Sequence, residues 1–420
     1  MKIKLTEHTK AVLLLTAPLI IVRARLDDSK ILSPSEYNKI ASRLTELGNK
    51  PADLLSPQKN SLCTSLNDIV DSQRLEALLD RGLLMSQALD QWQSRGIWIV
   101  SRAEPAYPKR LKDKLKKHAP PLIYGCGDPE LLNKGGLGIV GSRKVDDRIT
   151  TFVEDAAMLA VQSGHSVVSG GARGVGQIAM QSALKVEGTV IGALSENLSR
   201  SVVASHFREA IKSHSLVLIS AVDPNAGFSV GNAMARNKII YALSDAGLVA
   251  NADYEKGGTW AGAIEQIKRF KCCPIYVRTS TRTPKGNQAL IDRGGLPWPN
   301  PNNGDAFREL LKKGLTISAK PVTQEFVFED KIDPVENSEK SSNACPNSIQ
   351  SHAKAIREIA ETAILGILKI KPLNESELSE QLEINQAQIR IWLKLLLENK
   401  KIKKTKNPVK YELNHQVEFL

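Results

Sequence analysis

Leu137-Gly-Ile-Val-Gly-Ser-Arg143 and, further on, Ser166-Val-Val-Ser-Gly-Gly-Ala-Arg-Gly-Val-Gly176 share one plan. In each, a short apolar run stops abruptly at glycine and serine, and an amphipathic stretch follows. The plan returns with the runs Thr189–Leu194, Leu216–Ser220, Leu248–Asn251 and Pro274–Val277. Successive runs start on average about 27 residues apart, the length of a strand plus a crossover helix. Apolarity within the runs is continuous rather than alternating, as expected of strands covered on both faces. Six such units predict an α/β domain with a Rossmann-like, doubly wound, mostly parallel sheet over residues 131–317.

Outward from this core the composition changes. Residues 1–130 read as a helical N-terminal region, with helices expected at Ser35–Leu47, Leu66–Arg81 and Ser86–Ser94, then a short extended piece at Gly96–Val100. The apolar run Ala11–Val22 is too short for a bilayer span of about 20 residues. Glu7 in its flank and Pro18 within it favour a buried helix over an export signal. Residues 318–352 are poor in large apolar groups and rich in Ser, Asn, Pro and charge, the composition of a flexible linker. Beyond it, residues 353–420 read as three helices (Ala353–Leu368, Ser376–Leu382, Gln386–Asn399) and a hairpin turning at Asn407-Pro408. That order is the one found in winged-helix domains.

Among the 420 residues, Lys and Arg exceed Asp and Glu by 12, which favours a polyanionic partner. The five cysteines are scattered, with no CxxC pair, and the seven histidines do not cluster. No metal is expected, and the chain reads as a protein of the reducing cytoplasm. No Ser-His-Asp set or carboxylate pair argues for catalysis. No Gly-Lys-[Ser/Thr] sequence is present for a Walker-type phosphate loop. Gly174-x-Gly176-x-x-Ala179, with Glu196 twenty residues after Gly176, does fit the dinucleotide pattern. It follows the second strand rather than the first, however, and encloses an arginine, so no cofactor is expected.

Three strand-to-helix junctions lie on one edge of the expected sheet. Gly141-Ser142-Arg143 ends the first run. Ser169-Gly170-Gly171-Ala-Arg173 ends the second and opens a helix, where consecutive N–H groups attract anions. Gly257-Gly258-Thr259 follows the fifth, and Arg236-Asn237-Lys238 precedes an apolar helix face. Ligands bind beyond the carboxyl ends of parallel strands, so the three junctions predict one basic, glycine-lined groove.

The series Val140-Gly-Ser-Arg143, Ser169-Gly-x-Ala-Arg-Gly-Val175, Ala183-Leu184, Arg236-Asn-Lys-Ile-Ile240 and Gly257-Gly-Thr259 resembles the DNA-processing protein A family (DprA/Smf). Gly286-Asn287, Leu290-Ile291 and Gly294-Gly295 continue the likeness in order, and Pro120–Asp128 extends it upstream. Two departures mark a divergent subfamily. Gly174-Val-Gly176 stands where the family usually has Gly-Ile-Asp, and Ala179-Met180 where it has Ala-His. The resemblance implies a non-enzymatic protein that binds single-stranded DNA through the three junctions. It further implies a homodimer that helps load a RecA-type recombinase on incoming DNA in natural transformation. A regulator that senses DNA or nucleotides, for example in defence, and a nucleotide phosphoribohydrolase are the competing readings. The second of these needs an acid beside an arginine on the binding edge.

Two further basic features stand outside that groove. Arg102–Lys117 carries seven basic against two acidic residues, and reads either as an accessory phosphate track or as a solvated helix face. In the hairpin, Lys401, Lys403, Lys404 and Lys406 form an accessory DNA-contact candidate. Only 5% of residues are aromatic, so phosphate contacts are expected to outweigh base stacking.

Overall fold

The computed structural model describes residues 5–20, 30–281, 283–318, 361, 364–369, 371–382, 389–390, 392–393, 396–397, 399, 401–405 and 410–414. The chain divides into two units, Met1–Gln324 and Glu325–Leu420. The expected linker at 318–352 lies almost wholly outside the described residues, as do Lys406 and the turn at Asn407-Pro408.

Nine strands build the sheet of the first unit: β1 (Trp98–Ser101), β2 (Leu122–Gly127), β3 (Leu137–Val140), β4 (Val167–Ser169) and β5 (Val190–Leu194). They continue with β6 (Leu216–Ser220), β7 (Ala246–Val249), β8 (Ile275–Val277) and β9 (Leu296–Pro297). Their spatial order is β1-β2-β6-β5-β4-β3-β7-β8-β9. From β6 to β9 all neighbours are parallel, with β3 between β4 and β7. The chain winds one way from β3 to β6 and the other way from β7 to β9. The order therefore reverses between β3 and β7, the place where doubly wound sheets open a crevice. Strands β3 to β7 are buried along their whole length, which is why their sequences are continuously apolar.

The extended piece near residue 98 becomes β1, which pairs antiparallel with β2, and β2 in turn pairs antiparallel with β6. Both strands come from the N-terminal side of residue 130. One core joins Leu13, Ile40, Leu75 and Trp92 of the helical region to Leu137, Val167 and Leu216 of the sheet. Of the expected helix Leu66–Arg81 only Ser72–Leu79 is helical, and residues 66–71 form a turn that separates it from the helix Lys59–Ser65. The cause is local: the Asp71 side chain caps Ser72–Leu79 by accepting the Arg74 N–H at 2.9 Å, and Asn67 accepts that of Ser72 at 2.9 Å. Leu66 and Val70 are buried in the turn between them, so their apolar spacing mimics a helix without forming one.

In the basic segment 102–117, Lys109, Lys112, Lys116 and Lys117 are exposed, as on a solvated face, while the other three basic residues are engaged. Arg110 pairs with Asp245 at 2.7 Å, and Lys114 donates to the Ser244 carbonyl at 2.7 Å. Arg102 donates to the Ala119 carbonyl at 3.0 Å and to Asn38 at 2.6 Å. These charges fasten the segment to the body of the unit. No helix among the described residues is long and apolar enough to cross a membrane. Cys63, Cys126, Cys272 and Cys273 are buried free thiols, and Cys345 lies outside the described residues.

In the second unit the helix Glu375–Gln381 begins with a reciprocal cap between Asn374 and Glu377. An antiparallel hairpin, β10 (Ile402–Lys404) and β11 (Tyr411–Leu413), follows, and Leu373 bridges to Tyr411. Ile364, Leu368, Leu378, Ile389, Leu393, Leu396, Ile402 and Tyr411 form a small core of their own.

Candidate nucleic-acid interface

Past the carboxyl ends of β3, β4 and β7 two adjoining cavities of about 620 and 1150 Å³ open along the sheet edge. Arg143, Lys144, Gly170, Ala172, Phe228 and Arg236 line both, so the two form one groove. Small-molecule pockets run to about 1,000 Å³. The groove exceeds that and suits an extended ligand.

The first junction is held by side chains from the far side of the switch point. Asn251, just past β7, accepts the Ser142 N–H at 3.0 Å and donates to the Ser142 hydroxyl at 2.9 Å. Thr259 donates its hydroxyl to the Gly141 carbonyl at 2.9 Å. Ser169 is buried and donates to the Ile139 carbonyl at 2.7 Å. These polar residues shape the loops and leave the loop backbone at the groove wall. Gly174, with φ +85°, starts the helix Val175–Lys185, and a side chain there would collide with the Ser142 and Arg143 carbonyls.

Arg236 is the central cation. It sits on the helix Val230–Leu243, capped by Ser229, and its guanidinium lies directly over Gly170. A β-carbon at Gly170 would fall 1.3 Å from an Arg236 nitrogen, so only glycine leaves the guanidinium its place. The Arg236 Nε is buried without a hydrogen-bond partner. Burial, and then the nearby Arg143 charge, lower its pKa to about 10. Such a group stands to gain from an anion that enters the groove.

Of the expected residues, Gly141, Ser142, Arg143, Ser169, Gly170, Arg236, Asn237, Gly257, Gly258 and Thr259 line the first cavity, and Gly171 and Arg173 the second. Two differ in role from the expectation. Asn237 is buried and donates to the Gly258 carbonyl at 3.0 Å, bracing the third junction from behind. Lys238 lines neither cavity; it pairs with Glu265 at 3.1 Å and lies over the Phe270 ring at 5.0 Å. Two residues on from Arg236 is about 200° around a helix, which turns Lys238 away from the groove.

The structure adds residues that sequence reasoning did not single out. Lys144 and Lys256 flank two of the glycine junctions and line the groove. Arg143 lies 5.0 Å over the ring of Phe228, which is 47% exposed at the rim beside Val230. Glu196 and Asp253 are the acids of the groove, so five basic side chains face two acidic ones. Among the described residues, none of Arg143, Lys144, Arg173, Arg236 and Lys256 enters an ion pair within 4.0 Å. By contrast the hairpin lysines are partly engaged. Lys401 pairs with Glu361 at 3.2 Å, Lys403 with Glu412 at 3.3 Å, and Lys404 lies 5.6 Å over the Tyr411 ring. No group of three His, Cys, Asp or Glu able to hold a metal occurs among the described residues.

Residues 98–303, which carry this groove, match the model of the DNA recombination-mediator protein A family. Over these residues, just under half of its length, the chain is similar to that family. Protein Smf of Synechocystis sp. is 30% identical over 177 residues, 41% of this chain and 44% of that protein. The chain thus spans less than half the length of this curated relative. DNA processing protein A of Streptococcus pneumoniae has a similar fold, with a TM-score of 0.55 at 16% identity over 73% of this chain and 98% of that one. The Helicobacter pylori DNA processing protein A, whose structure is described for its single-stranded DNA binding mode, gives a TM-score of 0.41 at 23% identity. It covers 52% of this chain and 97% of that one.

Proposed function

We propose that this chain binds single-stranded DNA along the β3–β4–β7 edge, with Arg143, Arg173 and Arg236 on phosphates and the glycine junctions giving the strand close approach. The observation that carries this reading is the Arg236 guanidinium, desolvated over Gly170 with its Nε unpartnered, at the centre of five cations that enter no ion pair among the described residues. Phosphate is the anion class such a row accommodates repeatedly. The exposed Phe228 ring gives one stacking surface beside the track.

The finer reading is a recombination mediator. The bound strand is handed to a RecA-type recombinase, the protein acts as a homodimer in the cytoplasm, and the 353–420 module is a winged helix contributing weak accessory contacts through Lys401, Lys403, Lys404 and Lys406. The similarity of residues 98–303 to the recombination-mediator family supports it. A nucleotide hydrolase is the second reading, because Glu196 supplies an acid in the same cavity as Arg236.

One salt series separates them. Fluorescence anisotropy with single-stranded DNA, duplex DNA and nucleoside monophosphates should rank the single strand first. Its log K should fall by about 0.7 per phosphate neutralised for each tenfold rise in salt. The double variant Arg143→Ala, Arg236→Ala should bind at least about tenfold more weakly, with a slope shallower by about 1.4. Unchanged affinity and slope would remove the groove from consideration, and turnover of a monophosphate would establish the hydrolase instead.

A further inference from the structure

A carboxylate does not belong in a phosphate track unless something other than phosphate sits against it. Glu196 lines the larger cavity together with Arg173 and Arg236. Among the described residues its one hydrogen-bond partner is the neighbouring Asn197, whose amide donates to Oε2 at 3.2 Å. The second oxygen, Oε1, accepts nothing, although a carboxylate has about four acceptor sites. The turn that presents it is fastened on both sides. Asn197 is in the left-handed region with φ +48°, its N–H donates to the Ala226 carbonyl at 2.8 Å, and Ser199 N–H donates to that of Pro224 at 2.9 Å. Ile178 and Leu194 give the same cavity an apolar wall.

From these features we infer that Glu196 reads the edge of a base, accepting a hydrogen bond from an exocyclic amino group while the base lies against Ile178 and Leu194. The inference rests on the single-strand reading above and names what the acidic end of the groove takes. A phosphate is repelled there by like charge, and at the C4 position a carbonyl oxygen sets an acceptor against an acceptor. Cytosine N4 is the donor that acidic side chains accept from in base recognition. The groove therefore combines sequence-blind phosphate contacts with one position that discriminates the cytosine amino group from the carbonyl of uracil or thymine.

Oligodeoxycytidine and oligodeoxyuridine of equal length test this, because the two bases differ only at the N3–C4 edge. Affinities are measured at pH 8 and matched salt for the wild type, Glu196→Gln and Glu196→Ala. The wild type is expected to favour the cytidine oligomer by about fivefold or more, the low end of what a base contact contributes. Both variants should bring the ratio close to one, with Glu196→Gln tightening the uridine oligomer, since an amide can donate to O4. If the variants tighten both oligomers equally and the ratio does not move, Glu196 merely repels the strand and the inference fails while the groove stands. If the folded wild type binds neither oligomer, the groove reading fails and takes the inference with it.

Discussion

Arg236 shows how a single residue gains its function from a neighbour that has no side chain. The helix Val230–Leu243 delivers the guanidinium to the sheet edge, but only the bare backbone of Gly170 lets it lie there. Gly170 does not have positive φ, so alanine is tolerated by the backbone and the collision falls on the movable end of Arg236. Gly170→Ala is therefore expected to stay folded, with thermal stability within about 1 kcal/mol of wild type. Its single-strand affinity should drop towards that of Arg236→Ala. Circular dichroism and anisotropy on the same preparation check both halves, and wild-type affinity in the alanine variant would contradict the role given to Arg236.

At the scale of elements, loops rather than helices join the N-terminal region to the sheet on this side. The loop after β6 carries Asp223, which accepts the Ile20 N–H at 3.0 Å, and Asn225, which donates to the Ile20 carbonyl at 2.7 Å and to Gln91 at 2.9 Å. Burial pushes the Asp223 carboxyl up to about 6, against the backbone N–H groups that favour its charged form. The native state then holds a proton between about pH 4 and 6 that the unfolded chain has released. Stability contributed by this group is complete below about pH 4 and is lost as pH rises through 6, by about 3 kcal/mol in all. Asp223→Asn lacks that titration. Relative to wild type, the variant should gain up to about 3 kcal/mol in urea unfolding between pH 4 and 7. A difference that stays constant over this range would show that Asp223 does not titrate there. The same loop holds the turn of Glu196, since Pro224 and Ala226 accept from Ser199 and Asn197. N-terminal packing and the discriminating end of the groove thus share one support.

For the whole molecule, two units with separate cores predict separable behaviour. Residues 1–317 contain the entire groove, while two of the hairpin lysines, Lys401 and Lys403, are paired within their own module. Limited proteolysis is expected to cut within 318–352. The fragment 1–317 should keep most single-strand affinity, within about threefold of full length at matched salt, because the phosphate contacts that set K stay intact. The C-terminal fragment should bind duplex DNA weakly and only at low salt, since one small module makes few phosphate contacts. A folded 1–317 that binds no single strand would move the principal site to the C-terminal unit.

The strand pattern was legible because burial on both faces leaves continuous apolar runs, and Val167–Ser169, Val190–Leu194 and Leu216–Ser220 fall within or on the runs read from sequence. Glycine at their ends marked the junctions, because a chain that turns at a sheet edge beside a helix N-terminus has few other options. What a local pattern cannot show is which way a charge points and what it meets. Lys238 looks equivalent to Arg236 in sequence, yet helix geometry turns it to Glu265. Arg110 and Lys114 look like a phosphate track and instead fasten a helix to residues 244 and 245, some 130 positions away. Glu196 and Phe228 enter the groove only because β5 and the loop after β6 end on the same edge as β3. By itself the sequence determined the elements, their order and the chemistry of the junctions, all set by neighbours along the chain. Only the tertiary structure decided which cations stay unpaired, because pairing depends on distance between residues far apart in sequence.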